Sequence, residues 1–419
     1  MTSQQDPTPP PPAAAPGEPR HVRLALAVLF FVVFLNLVGF GIMVPLLPFF
    51  AKSLNAEAWQ VTLMFSAYSL GQFFAEPFWG RLSDRIGRKP VLIATTFCNC
   101  LGYAALAFAP DIWWAIGIRL FTGLGAGNIS TIQGYVADVS APEKRAGRMG
   151  LIGAAFGLGF VAGPGLAALT TKPEMGHFGY QIPLYVASGL TLAASLGVAA
   201  FLRESRRRAD PAAKRPAFLA GFAEATSNPV ISRVLLVTMT YMGGFSGMEA
   251  TFGLWAKERY HWTAVELGWC FMAVGGVSAI SQGLITGRLA KRFGEAKVLT
   301  FGMLLFGVSL ASQVVNPAPL GVPIIMAIGT FGMALAMPNI SALISRSAPP
   351  DRQGAMLGLN MASGSAARII APAVAGALFS GVGPDAPLLV GASLTVPAAV
   401  MAVNAGRAFR KAQAAHTAT

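Results

Sequence analysis

The sequence predicts an all-α polytopic membrane protein, with twelve transmembrane helices in two six-helix pseudo-symmetric halves. Three observations carry that expectation. Of the 419 residues, 54% are hydrophobic and 12% charged, with a mean hydropathy of +0.57. Soluble domains carry about a quarter charged residues. Apolar runs long enough to cross a bilayer, for which about 20 residues suffice, recur along the chain. Finally, two charged patterns repeat at one offset. Gly80-Arg81-Leu82-Ser83-Asp84-Arg85-Ile86-Gly87-Arg88-Lys89 returns 207 positions later as Gly287-Arg288-Leu289-Ala290-Lys291-Arg292-Phe293-Gly294. Ser140-Ala141-Pro142-Glu143-Lys144-Arg145-Ala146-Gly147 returns at the same offset as Ser347-Ala348-Pro349-Pro350-Asp351-Arg352-Gln353-Gly354. Two matches at one offset indicate a duplicated membrane unit.

Taken in order, the expected spans are 24–50, 59–79, 90–109, 112–137, 148–170, 180–202, 230–255, 264–286, 297–315, 320–344, 355–381 and 386–406. They divide the chain into a disordered Pro-rich cytoplasmic tail (1–22), an N-terminal half (23–202), a basic cytoplasmic linker (203–229), a C-terminal half (230–406) and a cytoplasmic tail (407–419). The tail cannot bury a core, because residues 9–12 are consecutive prolines in a polar context. No cleavable leader is expected, since the first apolar run is longer than a signal-peptide core. An even number of spans per half gives the halves the same orientation, a parallel repeat about the membrane normal.

The formal charge of +13 would suit a nucleic-acid binder, but its placement argues otherwise. Of 31 Lys and Arg, only Lys52, Lys172, Lys257 and Arg259 fall in loops on the opposite side, and Arg119 and Arg368 lie within spans. All the others lie in the tails, the linker, the loops of one side or the span ends beside them, which is the distribution that fixes cytoplasmic loops. The partner implied is the lipid bilayer, not nucleic acid. Arg206-Arg207-Arg208 reads as a topology anchor on anionic headgroups, or else as a partner site.

Cys98, Cys100 and Cys270 all sit inside apolar runs, and the four histidines (His21, His177, His261, His416) are scattered, so neither a metal site nor a disulfide framework is expected. No nucleophile elbow, zinc-protease motif or phosphate-cradling loop is present, and no loop is long enough for a catalytic domain. The chain is not expected to be an enzyme, nor to hold a cofactor.

At this point the chain resembles the major facilitator superfamily, and within it the twelve-span drug:proton antiporters such as the tetracycline exporters. The resemblance rests on Gly80-x-Leu82-Ser83-Asp84-Arg85-x-Gly87-Arg88-Lys89, on Arg119-x-x-x-Gly123-x-Gly125-Ala126, on Tyr135-Val136-Ala137-Asp138 followed by Glu143-Lys144-Arg145-Ala146, and on Gly159-Phe160-Val161-Ala162-Gly163-Pro164. Arg203-Glu204-Ser205 is similar to the family's close of the first half. Three positions depart from it. Asn36 stands where tetracycline exporters carry an acid, Lys291 replaces the repeat of Asp84, and Ala167-Ala168 replaces two glycines.

The resemblance implies a gating motif of Gly80, Asp84, Arg85, Gly87 and Arg88, with Asp84 facing the start of span 11 and Arg88 pairing with Asp138. A topology determinant alone is the plain alternative. It also implies an antiporter helix, with Gly159, Gly163 and Pro164 at the interface between halves. Close helix packing is the alternative there. The residues themselves add four ionisable groups within spans, Glu76, Arg119, Glu249 and Arg368. Each costs about 2.5–3.5 kcal/mol at a helix centre on insertion scales, so each needs a partner or a function. Glu249 is the first candidate for proton coupling, Arg119 fills the family position linked to proton transfer, Glu76 lies within reach of Arg81, and Arg368 balances an acid or binds carbonyls.

A mostly apolar cavity with a few amides suits amphiphilic compounds. Its expected lining is Asn36, Gln72, Asn128, Gln133, Phe245, Met248, Phe252, Asn339 and Asn360. The expectation is a monomeric secondary transporter of the bacterial inner membrane that exports a small amphiphilic molecule against protons. A proton-coupled importer or facilitator of a nutrient, and a non-transporting receptor or scaffold, are the alternatives.

Overall fold

The computed structural model describes residues 20–205, 225, 227–349 and 352–417; tail residues 1–19 and most of the expected linker lie outside the described residues. The described residues form α1 (Arg20–Ser53), α2 (Ala58–Ile86), α3 (Arg88–Ala107), α4 (Ile112–Gly125), α5 (Ile129–Asp138), α6 (Pro142–Thr170) and α7 (His177–Phe201). The second series is α8 (Pro229–Tyr260), α9 (Ala264–Ile280), α10 (Thr286–Phe293), α11 (Glu295–Val315), α12 (Gly321–Ser347), α13 (Gln353–Gly381) and α14 (Ala386–Thr417). No strand occurs among them. This is an all-α bundle, and nine of its helical stretches are long and apolar enough to cross a membrane.

Two expected spans are not single α-helices. The fourth breaks at residues 126–128 into α4 and α5, which both pack on α2 and α3. The break follows from Gly125-Ala126-Gly127, since glycine is a poor helix former. The carbonyl of Leu124 is instead taken by the indole N–H of Trp79 at 2.6 Å. The eighth span passes through a π-helical segment, Ser281–Ile285, between α9 and α10. Counting each of these as one passage, the described residues make twelve passages.

The motif expected as a loop is almost wholly helical. Helix α2 runs to Ile86 and α3 begins at Arg88, leaving Gly87 as the only turn residue, with φ +107° and ψ 161°. Its repeat Gly294 joins α10 to α11 with φ +84° and ψ 148°. Only glycine adopts such values without strain. The duplication seen in the sequence thus folds the same way twice. Gly80 does not turn the chain; it lies inside α2, where a Cβ would stand 3.4 Å from Ser130 of α5.

Each series packs mainly within itself: α1 on α6 and α7, α2 on α4, α3 on α7; then α8 on α13 and α14, and α11 on α12 and α14. Between the series, α2 packs on α13 and α6 on α9. The buried cores show how these contacts are distributed. One core unites both series, from Val38, Leu46 and Phe50 of α1 to Phe252 and Trp255 of α8, Leu267 of α9 and Phe379 of α13. The other two stay apart. One is built from residues of the first series, Ala25 to Leu202, and the other from residues of the second, Ala225 to Ala405. The halves therefore share a core at the end remote from Gly87 and Gly294, and keep separate cores toward the end that carries them. Glycines agree. A Cβ at Gly268 or Gly376 would collide with α6 or α2, whereas one at Gly147, Gly150, Gly153, Gly287, Gly354 or Gly358 meets nothing within 4 Å.

Within the first half, α2 and α4 pack backbone to backbone. A Cβ at Gly71 would lie 2.3 Å from the Leu120 carbonyl oxygen, and one at Gly123 would lie 2.2 Å from that of Tyr68. Overpacking there has nowhere to relax, because the obstacle is backbone. Gly123→Ala is expected to lower the unfolding free energy by about 1–3 kcal/mol. Gly117→Ala, on the same helix in open space, is expected to be neutral. Thermal melting of the two purified variants side by side checks this.

Candidate functional site: a buried charge cluster and a clamped motif

At the motif end, Arg88 organises a set of contacts within the first half. Its Nη1 lies 3.0 Å from an Asp84 oxygen and donates to Ser83 Oγ at 2.6 Å, and its Nε lies 3.2 Å from Asp138 Oδ2 at the foot of α5. Gly134 makes this possible, since a Cβ there would stand 2.6 Å from Arg88 Cζ. Sequence reasoning missed the next partner, Glu204. Its carboxylate accepts from the backbone amides of Arg88 at 2.8 Å and Lys89 at 3.0 Å, so it caps α3 from a distance where Gly87 offers no side chain. A Cβ at Gly87 would lie 2.4 Å from Glu204 Oε2, a second reason for glycine at that position. Lys89 Nζ returns a bond to the Ala199 carbonyl at the end of α7, and Tyr135 donates to the Arg203 carbonyl, both at 2.7 Å.

The second half carries the mirror of this arrangement with its charges exchanged. Glu295 occupies the repeat position of Arg88, and it pairs with Arg346, one residue beyond the repeat position of Asp138. The offset of 207 was the signal that would have revealed it.

The glycines of α6 do not sit where the resemblance implied. A Cβ at Gly159 would lie 2.4 Å from Leu37 Cβ, and one at Gly163 would lie 2.7 Å from Gly41 Cα, so both face α1 of their own half. The surface of α6 toward the other half is formed by Phe160, the Pro164 carbonyl, Gly165 and Ala168, against Gly268, Met272 and Gly275 of α9. The reason is spacing: residues four apart share a face, and the cross-half stripe is shifted round the helix from it.

Between the shared core and the clamp lie the intramembrane charges. Arg119 of α4 is 2% exposed, and its guanidinium lies 4.3 Å from the ring centre of Tyr68 on α2, a cation–π contact. Among the described residues its Nε and Nη1 have no hydrogen-bond partner, nor does the buried Nε of Arg368 on α13. Glu249 of α8 is 6% exposed and lies in the electrostatic fields of Arg368 and Arg119. Glu76 of α2 accepts from Gln72 at 3.1 Å and senses Arg368. The expected pairing of Glu76 with Arg81 is not formed; Arg81 donates to the Pro77 carbonyl one turn back. Among the described residues, neither Arg119 nor Arg368 is within 4.0 Å of a carboxylate. Tyr103 (3% exposed) closes the cluster on the α3 side, and Phe40 and Phe160 continue it from Tyr68 with ring separations of 5.7 and 6.0 Å.

Several residues expected in the cavity are occupied elsewhere. Asn36 donates to the Val32 carbonyl and accepts from Asn99 at 3.3 Å, between α1 and α3. Asn339 donates to the Leu335 carbonyl, and Asn360 accepts from Thr238 at 2.6 Å. Phe252 stacks at 5.3 Å on Trp255, whose indole donates to Asp385 at 2.7 Å, so it belongs to the seal at the far end. Met248 and Phe245 pack into or against the shared core. Asn128 is buried at the break between α4 and α5, and Gln133 is exposed on α5. Tyr68 and Tyr103 are the residues the apolar pattern hid, since nothing marks a tyrosine within a hydrophobic run as polar lining.

The cap on α3 is directly measurable. Glu204→Ala is expected to cost about 1 kcal/mol of stability by freeing two amides, and Glu204→Gln to cost less because one acceptor remains. Thermal melting of the two variants distinguishes a cap from a bystander.

Comparison with known proteins gives this geometry its family. The family model of the Major Facilitator Superfamily matches residues 29–294 and 234–417. A class C tetracycline resistance protein of Escherichia coli is 29% identical over 373 residues, 85% of this chain and 90% of that protein. Multidrug resistance protein 2 of Bacillus subtilis is 24% identical over 369 residues, covering 87% and 90%. Among solved structures, an inward-facing, unoccupied bacterial homologue of the human lysosomal transporter Spinster superposes with a TM-score of 0.78 at 15% identity, covering 94% of this chain and 99% of that one. The chain belongs to the Major Facilitator Superfamily of membrane transporters.

Proposed function

We propose that the protein is a proton-coupled antiporter that exports a small amphiphilic organic compound by alternating access. The observation that supports this most is Glu249, a carboxylate 6% exposed that faces two arginines without pairing to either. A fixed structural ion pair would close that distance. A group that loads and releases a proton is served by an open arrangement, because protonation then leaves no partner stranded. The relatives named for tetracycline and multidrug resistance support export of foreign or amphiphilic compounds.

On this reading the motif end faces the cytoplasm of a bacterial inner membrane, since the Lys and Arg of the short loops concentrate there. The arrangement of separate cores at that end and one shared core at the other is then the cytoplasm-open state of a monomer. Substrate enters toward Tyr68, Arg119, Glu249 and Arg368. Tilting of the halves closes the motif end and parts the seal of Phe252, Trp255 and Asp385, after which a proton on Glu249 replaces the substrate. Asp84 and Arg88 act at the motif end, holding α2 and α3 in the geometry that meets α13 on closure.

Glu249→Gln is expected to abolish export driven by an imposed pH gradient in proteoliposomes while substrate binding stays measurable. Coupling that is unchanged in this variant removes Glu249 from the mechanism. Asp84→Asn is expected to slow turnover without loss of folded protein, read as transport rate per correctly melted molecule. Substrate that accumulates in cells under the same gradient, instead of being depleted, favours the importer.

A further inference from the structure

The antiport reading leaves the chemistry of the substrate open, and the charge cluster constrains it. Arginine cannot shed its charge inside a protein. Leaving a buried cation without a partner costs several kcal/mol, so orphaned guanidinium donors call for an anionic acceptor. Here two such groups converge from opposite halves. Arg119, 2% exposed, has two buried N–H positions without partners, and Arg368 has one. Both act on Tyr68 and on Glu249. The same space holds two carboxylates, Glu249 and Glu76, of which only Glu76 has a side-chain donor, Gln72.

With both carboxylates ionised the cluster sums to zero charge, yet its opposite charges are held apart. A purely cationic ligand would bring a third positive charge to two arginines that cannot neutralise. A purely anionic ligand would oppose two carboxylates. We propose that the site takes a zwitterion, a small amphiphilic molecule whose carboxylate lies on the guanidinium groups of Arg119 and Arg368 and whose ammonium group lies on Glu249. Its apolar body lies along Tyr68, Phe40 and Phe160, whose rings follow one another at 5.7 and 6.0 Å.

This inference rests on the antiport reading and gives it a chemical reason. A proton on Glu249 removes the partner of the ammonium group and leaves the arginines in place, so proton and substrate exclude each other. The charged groups that act on Glu249 are Arg368 on α13 and Arg119 on α4; Tyr68 and Glu76 on α2 and Tyr103 on α3 act on those arginines in turn. Linkage then makes substrate affinity fall as Glu249 is protonated, which is the sign that exchange transport needs.

The test uses the full-length protein in lipid nanodiscs and matched triads of probes on phenyl, naphthyl and quinoline scaffolds. Each triad consists of an aminomethyl carboxylic acid, its methyl ester (cation only) and its N-acetyl acid (anion only), with affinity measured by calorimetry. On at least one scaffold the zwitterion is expected to bind about 10-fold or more tightly than either singly charged member, the range of a charge-assisted hydrogen bond. Arg368→Gln is expected to remove the advantage over the ester, Arg368→Lys to restore part of it, and Glu249→Gln to remove the advantage over the N-acetyl acid. The proposal is overturned if esters match zwitterions on every scaffold, or if no zwitterion outbinds both partners. Because these are equilibrium measurements, they separate from the transport assay. A protein that exchanges protons but prefers cations sinks only the zwitterion, and one that binds zwitterions without proton exchange sinks only the antiport.

Discussion

The constraint on which the rest of this structure depends is the cost of placing a permanent cation in a low-dielectric interior. Arg119 meets it with a tyrosine face and the field of Glu249 from the other half, and among the described residues not with a salt bridge. That solution draws on α2, α4, α8 and α13, which carry Glu76, Arg119, Glu249 and Arg368. The helices that fall outside the set long and apolar enough to cross a membrane unaided are α2, α4, α5, α8 and the short α10 taken alone. Three of them carry Glu76, Arg119 and Glu249. For α4 and α5 the reason is length, since the break at residues 126–128 leaves each too short to cross alone. These passages are held in place by packing against strongly apolar neighbours, and the glycine contacts of α2 with α4 show how close that packing is.

The architecture was largely legible in the sequence because it is set by composition and by the repeat. Gly87 and Gly294 are a clear case: one offset predicted their equivalence, and both adopt positive φ between paired helices. What was not legible depends on which side of a helix faces which neighbour. The stripe Gly159-x-x-x-Gly163, expected at the interface between halves, packs instead on α1 of its own half. The sequence gives the spacing of a face but not its direction. The amides behave alike. Asn36, Asn339 and Asn360 are polar residues within spans; the first two donate to carbonyls of their own helices and the third accepts from the Thr238 hydroxyl of α8. A buried amide finds a local partner more cheaply than it waits for a ligand.

The four intramembrane charges stood out because each is costly and because the duplication does not explain them. Their repeat positions are Gly283 for Glu76, Met326 for Arg119, Ile42 for Glu249 and Val161 for Arg368. Scaffold features, by contrast, come twice, as turn glycines or as the exchanged pairs Arg88 with Asp138 and Glu295 with Arg346. Duplication therefore supplied the frame, and each half contributed one acid and one arginine at non-equivalent places.

That division has a mechanical consequence. The pairs of the frame lie within one half, so tilting one half against the other leaves them intact. Glu249 with Arg119 and Glu76 with Arg368 span the halves. On the alternating-access reading their separations change as the halves move, while Glu249 and Arg368 travel together on α8 and α13. A ligand or proton shifts a conformational equilibrium only through interactions that differ between states. Charges shared across the interface are the groups in this molecule placed to differ, and charges confined to one half are not. On that reading the open spacing of the central cluster is what lets the electrostatics of one site bias the position of the two halves.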